Sequence, residues 1–248
     1  MRNSKCKLSR ACLVLPLISC LLVSCEPPPQ KQVVPPTPTP SPINGSAVTK
    51  NTNVSFNTYS KEWPVEWQWI DPDPHPATPH DTHMAVLHLI VPKGKELDLE
   101  RSTAPRYLKA LAGDFEIETK VVAHPVLNHQ GAGLLVWEGD KDYVRFERAT
   151  SDGVSGIEVL VRHGDELTPL VTTAAMPTEA AETWLRIRRE GANFTFLSRD
   201  SDKTPWREAA RYTAANYPPG ILAGLVATNT ADEFDVRFAY IRLEPPKK

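Results

Sequence analysis

The chain has 248 residues, of which 41% are hydrophobic and 23% charged, and a formal net charge of −2. That length and apolar content are enough for one well-filled core, and a mildly acidic chain with no basic block excludes nucleic-acid partners and a polybasic membrane-binding surface. All 4 cysteines, Cys6, Cys12, Cys20 and Cys25, lie at or before position 25, so the remainder has no disulfide and no thiolate metal site.

Residues 1–24 begin with Arg2, Lys5, Lys7 and Arg10 and continue into an apolar stretch from Ala11 to Val23 that is short for a membrane span. This pattern predicts a signal peptide. Its end, Leu22-Val23-Ser24-Cys25, resembles the bacterial lipobox, in which the Cys is acylated and becomes the mature first residue; Leu17-Ile18-Ser19-Cys20 is a weaker second match. The resemblance implies lipidation at Cys25, export from the cytoplasm and residence at a bacterial cell envelope, since several acyl chains on one residue anchor stably. Cleavage there removes four basic residues and no acidic one, taking the formal charge from −2 to −6.

Residues 25–60 read as a lipidated Cys followed by a flexible tether. Glu26 to Pro42 is rich in proline, with Pro27-Pro28-Pro29, Pro35-Pro36 and a Thr-Pro repeat, which favours an extended spacer and builds no core. Residues 61–246 then read as one domain. Trp63, Val65, Trp67 and Trp69 alternate with Pro64, Glu66 and Gln68, predicting a first strand with an aromatic face. A proline-punctuated loop follows, with Asp71, Asp73, His75, His80, Asp81 and His83. Its oxygen donors make Asp71 and Asp73 weak candidates for a structural calcium; a purely structural loop is the simpler reading, and no other cofactor is implied.

Met84 to Val91 and Asp114 to Ala123 are the next predicted strands. Residues 131–148 read as a hairpin: an apolar run from Leu134 to Trp137, a Gly-containing turn, and a strict alternation from Tyr143 to Arg148. If Trp137 pairs with Tyr143, Leu134 and Val136 face one way with Phe146 and Val144. Leu135, Trp137, Tyr143, Arg145 and Glu147 then face the other. Further strands are predicted at Ile157–Arg162, Leu167–Thr173, Trp184–Glu190, Phe194–Arg199, Trp206–Tyr212, Ile221–Thr228 and Phe234–Leu243. Gly191-Ala192-Asn193 is a turn whose residue types tolerate positive φ. Only Thr178–Thr183 and Ala209–Asn216 suit short helical turns. This many strands at regular spacing, with no internal repeat, indicate an all-β sandwich.

Five stretches carry a resemblance. Thr103–Leu108, Gly113–Glu118, Ala132–Trp137, Asp142–Glu147 and Trp184–Arg189 resemble, in this order, the regulation-of-enolase-like domains of the concanavalin A-like lectin/glucanase superfamily, and Gly224–Thr228 and Phe238–Leu243 are similar too. The resemblance spans Trp63 to Leu243 and implies a jelly roll of two antiparallel sheets. It is also similar to the accessory sandwich domain at the end of some bacterial xylosidases and arabinosidases. It transfers no active site.

Three functions compete. Trp137 and Tyr143 offer rings on which a sugar stacks, while Arg145, Glu147, Arg186 and Arg188 offer directed hydrogen bonds, which predicts a non-catalytic carbohydrate-binding face. The same charges are explained by an ion-pair ladder with Trp137 and Tyr143 as cross-strand packing; an Arg-rich face also favours acidic sugars. Asp114, Glu116 and Glu118, at alternating positions, resemble the paired acids of laminarinase-type glycoside hydrolases, which is the minority reading, because a solvated strand face carries the same pattern. The third is a structural lipoprotein whose Trp63, Trp67 and Trp69 dock an envelope protein.

Overall fold

The computed structural model describes residues 66–73, 86–214 and 217–246, with the backbone of 52–54 and 80–81. The expected signal peptide, Cys25, Trp63 and all of the expected 25–60 tether except Thr52–Val54 lie outside the described residues; the backbone of those three residues is a strand paired with residues 241–243. In chain order the strands are β1 (Thr52–Val54), β2 (Trp67–Ile70), β3 (His80–Asp81), β4 (Leu87–Val91), β5 (Arg106–Ala112), β6 (Phe115–Ala123), β7 (Gln130–Gly139), β8 (Asp142–Ser151), β9 (Val154–His163), β10 (Glu166–Val171), β11 (Glu182–Glu190), β12 (Asn193–Arg199), β13 (Arg207–Thr213), β14 (Gly220–Thr228) and β15 (Phe234–Glu244). They form two antiparallel sheets. The seven-stranded sheet runs β10-β9-β8-β7-β14-β5-β2; the eight-stranded sheet runs β13-β12-β11-β6-β15-β4-β3, with β1 also on β15.

The core lies between the sheets because the strands alternate. Ala132, Leu134 and Val136 of β7, Val144 and Phe146 of β8, and Ile157, Val159 and Val161 of β9 point inward from one sheet. Phe115, Ile117 and Val121 of β6, Leu185 and Ile187 of β11, and Phe194 and Phe196 of β12 meet them from the other. Trp67 is part of this core, stacked on Tyr107 at 5.0 Å between centroids, and the half-buried Trp69 packs against it. Neither forms the open aromatic patch expected of an envelope-protein dock.

Several local expectations are corrected. Among the described residues there is no helix: residues 178–181 are irregular, and Ala209 to Thr213 belong to β13. β5, an unpredicted strand of modest β-propensity, is held by pairing to β14 and β2 on its two edges. Its approach to β14 is close enough to require Gly224, where a Cβ would sit 1.9 Å from the carbonyl oxygen of Tyr107. The turn at Gly191 has the expected positive φ, 60°.

Candidate functional site

The site is built on the outward face of the β7–β8 hairpin. Its register places Trp137 opposite Tyr143, Val136 opposite Val144 and Leu134 opposite Phe146, as the alternation predicts. The outward face is divided into a covered half and an open half.

In the covered half, Leu135, Trp137 and Tyr143 join Leu97, Ala104, Leu108 and Val226 in a second apolar cluster, outside the seven-stranded sheet. The segment between β4 and β5, residues 92–105, folds back over the hairpin to make it. Paired backbone hydrogen bonds tie it down at Lys95 and Asn229, at 3.0 and 2.7 Å. The buried Arg162 donates to the carbonyls of Asp98 and Leu99, the latter at 3.1 Å from Nη2. Trp137 is 4% exposed and stacks on the fully buried Tyr143, with centroids 5.6 Å apart, while the Arg106 guanidinium lies 4.1 Å from its other face. Both rings are already stacked on protein, so neither is free to stack on a sugar. The cross-strand packing alternative describes them.

The open half is a groove of about 540 Å³, reaching from the 96–98 segment across β8, β9 and β10. Arg145 and Glu147 lie in its floor, with Nη1 and Oε2 3.5 Å apart. Glu147 stands directly opposite Glu158 of β9, a residue that sequence reasoning missed. Side chains directly opposed in an antiparallel pair share a face and are close neighbours. Gly131 leaves the room for this: a Cβ there would lie 2.9 Å from Thr228 Oγ1 and 3.2 Å from Glu147 Cδ. Leu160, Leu167 and Pro169 give the groove an aliphatic side. Arg145 is 9% exposed, and its Nε has no hydrogen-bond partner.

Burial pushes the Glu147 carboxyl above its ordinary value of 4.5; Arg145 opposes that shift and Glu158 adds to it. Glu158 is raised too, again by burial first, with Arg145 opposing and Asp152 adding. For an acid whose folded pKa is raised, the folded state holds more protons than the unfolded state between the two values, so stability falls as pH rises through that window. Glu147→Gln, which cannot ionise, is therefore expected to gain on the wild type as pH rises above about 4.5. Thermal unfolding at pH 4.5 and pH 8 checks this; a variant melting temperature that falls relative to the wild type between pH 4.5 and pH 8 contradicts it.

The other candidate residues lie on the outer face of the eight-stranded sheet. Arg186 and Arg188 are on β11, opposite Glu118 and Glu116 of β6, so they do not extend the hairpin face. Arg186 donates from Nε and Nη2 to Glu118 at 2.9 and 2.5 Å, and Arg186 Nη1 lies 3.1 Å from Glu116. Arg188 donates to Glu116 from Nε at 3.0 Å. The Tyr240 hydroxyl donates to Glu118 at 2.5 Å. Asp114 instead accepts the Gly191 N–H at 2.7 Å and holds the β11–β12 turn. The three acids of the hydrolase reading thus have structural partners. The Asp71 carboxylate accepts from the buried Lys95 Nζ at 2.7 Å, and the Asp73 backbone carbonyl accepts from the same ammonium. A cation already occupies that position, which removes Asp71 as a calcium ligand. The histidines at 75 and 83 lie outside the described residues.

The DUF1349 family, described as proteins of unknown function, matches residues 93–246. No curated protein matches the chain. Solved structures share the fold at low identity. A functionally unknown protein from Saccharomyces cerevisiae is 16% identical, with 74% of this chain and 98% of that one covered and a TM-score of 0.60. The GH43 protein BlXynB from Bacillus licheniformis is 13% identical over 77% of this chain, which spans 39% of that protein's length, with a TM-score of 0.64. The exoplasmic/lumenal domain of VIP36, in a form bound to Ca²⁺ and Man3GlcNAc, is 17% identical, with 76% and 89% covered and a TM-score of 0.53. The fold is the jelly-roll sandwich of the concanavalin A-like class.

Proposed function

The chain belongs to the DUF1349 family of proteins of unknown function, and we propose that it is a non-catalytic carbohydrate-binding protein whose site is the groove over Arg145, Glu147 and Glu158. One observation carries this reading. The groove sets an aliphatic side, Leu160, Leu167 and Pro169, beside the Arg145 guanidinium and the Glu147 and Glu158 carboxyls. A sugar has the same two-sided chemistry, C–H faces and hydroxyls, and hydrogen bonds between hydroxyls and charged groups are the stronger ones. The sugar bound in the VIP36 structure makes the class of ligand familiar on this fold, which is analogy only.

The proposal includes the likeness to the regulation-of-enolase-like domains and a place at the bacterial cell envelope, with Cys25 acylated and the Pro-rich segment as spacer. Metabolic labelling with an alkyne palmitate, lost in Cys25→Ser, tests the anchor. For the site, a glycan array probed with the full chain is expected to give hits that Arg145→Ala reduces by about tenfold or more, since a hydrogen bond to a charged group is worth about 1.5–3 kcal/mol. Hits unchanged in that variant overturn the assignment of the groove. An array with no hit favours an envelope protein as partner.

A second reading, glycoside hydrolysis, moves from Glu116 and Glu118 to Glu147 and Glu158, because these two are directly opposed in the groove. Retaining hydrolases hold two carboxyls about 5 to 5.5 Å apart. Reducing-end release from a bound oligosaccharide, abolished by Glu158→Gln, supports this reading; binding without release rejects it.

A further inference from the structure

The charges along the groove are unbalanced. Of its lining residues Glu96, Asp98, Glu147, Asp152 and Glu158 are acidic, and Arg145 is the one Lys or Arg. Glu96 is satisfied by Arg101, 2.5 Å away. Burial works against the ionisation of Asp98, but the N–H groups of Arg101 and Glu100 outweigh it and hold that carboxylate below its ordinary pKa. Arg145 reaches Glu147. Among the described residues, Glu158 has no hydrogen-bond or ion-pair partner, although it is half-buried and faces the groove.

We propose that the groove selects a saccharide bearing a free amine, of the glucosamine type, whose ammonium pairs with Glu158 while the Arg145 guanidinium in the same groove faces its hydroxyls. The inference rests on the carbohydrate reading and adds the class of sugar to it. A half-buried carboxylate without a partner carries a desolvation cost that a ligand cation removes, and a concave acidic surface concentrates cations. A uronate brings a further negative charge among five carboxylates facing one guanidinium. That reverses the expectation of acidic sugars drawn from an Arg-rich face. The arginines behind that expectation, Arg186 and Arg188, belong to the other sheet and are neutralised by Glu116 and Glu118.

Calorimetric titration of the full chain with the β-1,4-linked glucosamine tetramer, its N-acetylated counterpart and tetragalacturonate tests the inference. The amine tetramer is expected to bind about tenfold tighter than the N-acetylated one, the scale of one hydrogen bond to a charged group, and tetragalacturonate weakest. The preference is expected to shrink between about 50 and about 500 mM NaCl. Glu158→Gln, close in shape to the native residue, is expected to bring the ratio of the first two near one. Asp165→Asn removes a carboxylate that is 85% exposed and does not line the groove, and it is expected to leave the ratio unchanged. Equal or tighter binding of the N-acetylated tetramer or of the galacturonate overturns the amine preference and leaves the carbohydrate reading standing. An equal loss in Asp165→Asn overturns it in favour of bulk charge. Absence of binding by all three, together with an empty glycan array, overturns both.

Discussion

Glu118→Ala is expected to destabilise the domain by about 3 kcal/mol, because removing one member of a buried ion pair leaves the others uncompensated. Glu118 is almost wholly buried, takes two hydrogen bonds from Arg186 and one from the Tyr240 hydroxyl, and has Arg242 Nη1 at 3.5 Å. Arg186 keeps Glu116 and the Trp206 ring, 4.1 Å away, so the loss falls short of that for an isolated buried charge. For a domain of this size the loss corresponds to a fall in melting temperature of roughly 6–12 °C. Glu118→Gln, which keeps an acceptor for Tyr240, is expected to lose less. Urea unfolding distinguishes this structural role from a catalytic one. Unchanged stability in Glu118→Ala, with an oligosaccharide-cleaving activity lost, contradicts it.

Trp137→Ala is expected to cost about 4 kcal/mol, in the usual range for a buried aromatic replaced by Ala. The indole fills the space between Tyr143 and Arg106, and its loss removes the ring on which an almost fully buried guanidinium rests. Burial lowers the Arg106 pKa to about 10, with Asp140 acting in the other direction, so that charge depends on its surroundings. A desolvated cation–π contact is worth about 2 kcal/mol. Hydrogen exchange is expected to speed at Thr103 and Ala104, whose N–H groups donate to the Glu96 carbonyl within the covering segment. Retention of full stability and slow exchange, with glycan binding lost, contradicts this account and restores Trp137 as a stacking platform.

The hairpin was legible because its information is local. The apolar run, the turn and the strict alternation from Tyr143 determine the register, and the structure reproduces it pair by pair. What covers the outward face was not legible, since it depends on residues 92–105 being fastened to Asn229 and Arg162, far away in sequence. The charged residues were separated for the same reason. Arg145 and Arg186 both alternate with apolar neighbours, and only the strand order assigns them to different sheets. Glu158 did leave a signal. It alternates with the inward-facing Ile157 and Val159, and a tight turn at Asp152 and Gly153, both with positive φ, sets it across from Glu147. The turn types fix that pairing, but the length of β9 that takes part in it was not visible in the short run of Ile157–Arg162.

Methyl-resolved NMR of the full chain, titrated with an oligosaccharide selected from the array, tests the central claim most directly. The groove account predicts shift changes concentrated at Leu160 and Leu167, with Thr228 following and the methyls of Leu197, on the far sheet, unmoved. Shifts centred on Leu197 and its neighbours on β12 and β13, with Leu160 and Leu167 silent, contradict the assignment and place binding on the eight-stranded sheet.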